Sequence, residues 1–168
     1  MTQGNAYLYR MPAGIAGDVI RAEHATVKAE LMDTDYPILR YGEPVKMVSG
    51  EVRPFTTGDT VTDLYGFGVR PYPSQNSVST EGIAAATPST TQPFDVLRRG
   101  YMTVYCQYGS PSKGGDVYVR TIAASDPTAQ PIGGIESGAD GGDCTVLTGA
   151  KFEGSVDDYG FVEISYNI

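Results

Sequence analysis

Apolar positions in the second half of the chain recur at every second residue. In YMTVYCQY (101–108), Met102, Val104 and Cys106 fall on one face and Tyr101, Thr103 and Tyr105 on the other. A period of two marks a strand with one buried face. DVYVRTI (116–122) alternates in the same way. CTVLTGAKF (144–152) is a further strand with Gly149 inside it, and FVEISYNI (161–168) closes the chain as the last one. Between these runs stand SPSKGGD, SDPTAQPIGG, ESGADGGD and GSVDDYG, all rich in turn residues. Nearer the start, TVKAEL (26–31) alternates more weakly. PVKMVSGEVRPF (44–55) reads as two short strands broken at Ser49-Gly50. TVTDLYGFGVRPYP (60–73) has strand character and carries Gly66 and Gly68 on one face. Two such glycines leave a bare patch for a backbone or an aromatic ring, or mark a bulge. No helical run of ten or more residues is evident. The pattern predicts an all-β, single-domain antiparallel β-sandwich or barrel, jelly-roll-like, with long loops.

Two segments break the pattern. Residues 1–25 hold Tyr7, Leu8, Tyr9, Met11, Ile15, Val19 and Ile20 without a clean period, beside Pro12 and glycines at 4, 14 and 17. Such a stretch suits an N-terminal arm that lies along a surface, leaving residues 26–168 as the β domain. Residues 71–95, PYPSQNSVSTEGIAAATPSTTQPFD, read as one long exposed loop. Loops of that length in a compact domain are usually functional or disordered.

Composition narrows the partners. A chain of 168 residues, 40% hydrophobic and 19% charged, is a folded domain rather than a disordered one. Its net charge is -8. Such a surface repels nucleic acid, which binds through Lys and Arg on phosphates, and gains nothing from anionic lipid. No apolar run approaches the ~20 residues of a membrane helix, so a soluble protein made in the cytoplasm is expected. The two cysteines, Cys106 and Cys144, lie in strand-like runs and read as buried thiols; spacing alone leaves open whether they pair.

Candidate chemistry is thin. Gly14-x-x-Gly17 in RMPAGIAGD invites a phosphate loop, but Asp18-Val19-Ile20-Arg21 supply neither the Lys nor the Ser or Thr such a loop needs. His24 is the single histidine. It cannot build a zinc site, and a Ser-His-Asp triad or a Cys106–His24 pair would depend on it alone. The carboxylates at Asp157-Asp158 and from Asp140 to Asp143 sit in glycine-rich turns, where solvent keeps them ionised. ADGGD lacks the ligand spacing of an EF-hand loop. No enzyme activity, metal or cofactor is expected.

Several segments, taken in order, resemble the bacteriophage capsid cement (decoration) proteins. They are MPAGIAGDV (11–19), VRPYP (69–73), DVLRRGYMTV (95–104), GGDVYVR (114–120), TGAKFEGSVDDYG (148–160) and EISYN (163–167). The resemblance implies a structural protein on the outer surface of an icosahedral phage head. It would clasp an HK97-fold major capsid protein lattice and self-associate as a dimer or trimer. Tyr7, Tyr9, Met11, Pro12 and Ile15 of the arm are the expected capsid or subunit contacts. A competing reading is a carbohydrate- or receptor-binding β-module of a head fibre or tail. In that reading Tyr101, Tyr105, Tyr108 and Tyr118 would stack on sugars if they shared an exposed face.

Overall fold

The computed structural model describes residues 14–71 and 87–168. Among these residues the fold is all β, with helix limited to single 3-10 turns. The strands are β1 (Thr26–Met32), β2 (Pro44–Val48), β3 (Glu51–Pro54), β4 (Leu64–Gly68), β5 (Phe94–Tyr108), β6 (Asp116–Arg120), β7 (Ile135–Glu136), β8 (Cys144–Phe152) and β9 (Phe161–Tyr166). They form one nine-stranded sheet in the order β1-β3-β2-β4-β5-β7-β6-β8-β9. Two further pairings, β1–β5 and β5–β9, close that sheet on itself twice. The result is two five-stranded rings that share the long strand β5. Closure pairs most of the edges that an open sheet would leave exposed to aggregation. The all-β, single-domain expectation holds. The sheet is mixed rather than wholly antiparallel, because β1–β3 and β5–β7 run parallel.

Each ring encloses a core. Met102, Val104 and Cys106 of β5 pack with Val117, Val119, Ile135, Leu147, Phe152, Val162 and Ile164. The smaller core holds Met32, Ile38, Val45, Val52, Phe94 and Val96. Adjacent Val96 and Leu97 are both fully buried but belong to different cores. Leu97 and Met102, an odd number of residues apart, share one core. The alternation therefore slips between them. A register shift opposite Thr26 and Val27, and Gly100 at φ +137, mark the slip. A β-bulge of this kind adds one residue and turns the strand's inward face over. That is how one strand serves two rings.

The glycine pair on β4 has its cause here. A Cβ on Gly68 would lie 2.6 Å from Phe94 Cζ, so the aromatic ring takes that space. A Cβ on Gly66 would run into the Leu97 carbonyl oxygen of β5. Cys106 and Cys144 are both free and buried. Burial pushes their thiols up to about 11 and about 12, so both stay protonated and inert at neutral pH.

A buried charge cluster ties β6, β7 and the turn before β8 together. Arg120 and Glu136 are both 0% exposed. Arg120 Nε donates to Glu136 Oε1 at 2.6 Å and Nη2 to Oε2 at 3.2 Å. Nη2 also donates to Asp140 Oδ2, and Asp143 Oδ2 lies 3.6 Å from Nη1. Gln130 Nε2 reaches Glu136 and Asp140 at 3.4 and 3.3 Å. Two of the carboxylates expected to be merely solvated turn residues thus complete the shell of a buried arginine.

Candidate functional site

Of the five expected contact residues, Tyr7, Tyr9, Met11 and Pro12 lie outside the described residues. Ile15 is described and half-buried, and its N–H donates to Asp18 Oδ2 at 3.1 Å. From there the chain runs along β5. Gly17 N–H donates to Thr103 O at 2.9 Å, Thr103 N–H to Asp18 O at 2.9 Å, and Ile20 N–H to Tyr101 O at 3.1 Å. Arg70 N–H donates to Gly17 O at 2.9 Å. Gly17, at φ +91, is required: a Cβ there would stand 2.6 Å from Tyr41 Cβ and 3.0 Å from Arg70 N. The described end of RMPAGIAGD is therefore built to pack on β5 rather than to cradle a phosphate. Its glycines let the described end of the segment sit tightly against β5, while Asp18 caps its own turn.

Beside this segment lies a cavity of about 300 Å³. Ala16, Leu39, Tyr41, Glu43, Tyr105 and Phe161 contribute to its lining. Leu39 and Tyr105 stand exposed at 63% and 45%. Arg40 Nε is 2.7 Å from Glu43 Oε1, but out of line for a hydrogen bond. Burial therefore prevails over the attraction of Arg40, and the Glu43 carboxyl is pushed up to about 7.

The raised acid gives a pH dependence with a definite sign. A folded state that holds this proton more tightly than the unfolded chain gains stability below the ordinary value of 4.5, and loses it as pH rises through about 7. At about 1.4 kcal/mol per unit, the shift corresponds to roughly 3 kcal/mol. Glu43→Gln is expected to remove this fall in urea midpoint between pH 5 and pH 8. An unchanged slope in the variant would place the effect elsewhere.

The other candidates disperse. His24 is exposed, 3.8 Å from Glu23, and meets the Tyr101 ring edge-on. No cluster of three metal-ligating side chains occurs among the described residues. Asp157 Oδ1 accepts from Tyr159 and Phe161 N–H, both at 2.9 Å, which is turn architecture. Tyr101 is covered by Arg21, 3.9 Å from its ring centre. Tyr105 packs edge-on against Phe161. Thr103 between them is fully buried, with Gly14 against its side chain. These tyrosines do not make one open stacking platform.

Sequence reasoning passed over two surface features. One is this cavity, whose lining comes from segments far apart in the chain. The other is β1, where Val27 and Leu31 are 40% and 64% exposed. Its weak alternation was legible, but exposure on both faces was not.

Comparison with known proteins puts this surface in context. A chain from a solved structure titled "The capsid of Myoviridae Phage XM1" superimposes with a TM-score of 0.69 at 20% identity. The match covers 99% of this chain and 98% of that one, and at such identity it establishes a shared fold. No curated protein matches. A family model described as XM1 gp53 minor capsid protein matches residues 4–166. The resemblance to phage capsid proteins is thus borne out along nearly the whole chain, and the protein belongs to the XM1 gp53 minor capsid protein family.

Proposed function

We propose that this protein is a cement protein, binding the exterior of an icosahedral phage head and stabilising an HK97-fold major capsid protein lattice. The near full-length match to a minor capsid protein family carries the reading. Three features support it. The net charge of -8 suits a face turned away from packaged DNA. Cys106 and Cys144 are buried with raised thiols and His24 stands exposed beside Glu23, an arrangement that suits a structural role better than nucleophilic catalysis. The arm, with Tyr7, Tyr9, Met11, Pro12 and Ile15, offers apolar and aromatic side chains to a neighbouring copy or to the capsid. Many copies on a lattice need only modest affinity each, since simultaneous contacts multiply. The sugar-binding alternative is weaker: Tyr105 and Tyr108 are exposed, but Arg21 covers Tyr101 and Tyr105 packs edge-on against Phe161, so Tyr101 and Tyr105 share no open face.

Co-sedimentation tests the proposal. Purified protein is mixed with expanded heads that lack it, with unexpanded heads and with naked DNA. Saturable binding to expanded heads alone is expected. Binding to DNA, or to no head form, would overturn the cement role.

A further inference from the structure

Ring closure leaves one edge open. Residues 26–30 of β1 pair with β5 along one side. Their other side has no backbone partner among the described residues, because β3 joins β1 only at Leu31 and Met32. Val27, Ala29 and Leu31 point to one face by the period of a strand, and all three are exposed. An apolar stripe beside an unpaired edge is what natural sheets usually shorten, charge or cover. Lys28 gives only partial protection, since the neighbouring Glu30 is engaged by the Tyr65 hydroxyl.

We propose that this edge is the acceptor for the N-terminal segment of a second copy of the chain. Residues 6–11 add to it along residues 26–30, with Tyr9 laid over Ala29 and one of its neighbours Tyr7 or Met11 over Val27; the strand ends where β3 takes the edge at Leu31, and its last apolar side chain packs on the exposed Leu31 side chain. The inference rests on the arm reading above and names the surface the arm takes. The donor, AYLYRM, is six residues of high β-propensity, set against five open positions. Both sequences place apolar side chains at odd positions, so one register brings apolar side chains together on one face. Backbone pairing would supply affinity and the alternate side chains specificity.

Reach argues for exchange between copies. Gly14 lies against Thr103, whereas β1 begins opposite Arg99. Four residues of strand separate those levels by roughly 13 Å. Three residues of chain from Gly14 back to Met11 span at most about 11 Å. The segment of the same chain therefore falls short of the outer side of β1, a limit that does not bind a neighbouring copy.

Cross-linking on heads tests it. Tyr9→Cys and Ala29→Cys proteins are assembled together on expanded heads and mildly oxidised; the native Cys106 and Cys144 are buried and silent. Reducible dimers that require both variants are expected. The double variant is expected to give a ladder of linked copies. A fast-migrating, internally linked monomer instead would overturn the exchange. No cross-link, with head binding intact, would overturn the β1 acceptor while leaving the arm reading standing. Unchanged head binding after deletion of residues 1–13 would remove the arm reading itself. As a second probe, Leu31→Lys at its exposed position is expected to keep the native melt and to weaken head binding about tenfold, the effect of losing one buried leucine contact. Unchanged binding in that variant counts against the acceptor.

Discussion

Arg120→Ala is expected to lower the stability of the folded protein by about 3–5 kcal/mol, the usual effect of removing one partner from a buried ion pair. The arginine is fully buried and gives Glu136 both Nε and Nη2. Its removal leaves the Glu136 carboxylate inside the protein without a cation, facing only neutral donors such as Gln130 Nε2 and the Cys144 thiol. The same change frees Asp140 and Asp143, which hold the turn leading into β8. Domains are stable by only about 5–15 kcal/mol in total, so this is a large share. Arg120→Lys is expected to recover little, because an ammonium cannot reproduce the two-pronged contact. A double variant, Arg120→Met with Glu136→Leu, is expected to be more stable than Arg120→Ala, since it leaves no unpaired charge between those positions. Urea unfolding followed by tyrosine fluorescence reads all three. A fall of less than about 1 kcal/mol in Arg120→Ala would mean that solvent reaches Glu136 and that the cluster is not a structural pin.

That cluster shows where sequence reading stops. Alternation in DVYVR marks Val117 and Val119 as inward, and both are fully buried. Nothing local tells that Arg120 also turns inward, because its side-chain partners arrive from residues 136, 140 and 143. The strands with one buried face were legible: β2, β3, β6, β8, β9 and the second half of β5 follow the apolar spacing and the glycine breaks. The first half of β5 was not, since a strand buried on both sides loses its alternation, as Val96 next to Leu97 shows. For that reason Phe94 and Asp95 read as the end of a loop although they open β5; of that loop, residues 72–86 lie outside the described residues. β7 is two residues long, too short for any period. Residues 61–63, expected to be strand, form a 3-10 turn because Thr60 and Asp63 cap each other. The proposed contact surface was half legible. The arm's aromatic composition stood out, whereas the open edge of β1 depends on where β3 stops.

The shared strand sets the second large effect. Gly66→Ala is expected to destabilise by about 3 kcal/mol, the upper end for forcing atoms into a packed interior. The new Cβ would collide with the Leu97 carbonyl oxygen and stand 2.6 Å from Val96 Cγ1. A side chain can rotate aside, but a carbonyl oxygen moves only with its strand. That strand is β5, with Val96 in one core and Leu97 in the other. A shift there disturbs both rings at once. Gly68→Ala meets only the end of the Phe94 ring and is expected to cost less. Gly138→Ala, with nothing within 4 Å of the new Cβ, is the control and is expected to be near neutral. Because one strand serves both cores, wild type and Gly66→Ala should each unfold in a single transition, with far-UV and tyrosine signals coincident. Should Gly66→Ala instead melt in two steps, the rings would be separable units and β5 a mere tether. If it melted with Gly138→Ala, the approach of β4 to β5 would be looser than the register of Phe67 with Leu97 requires.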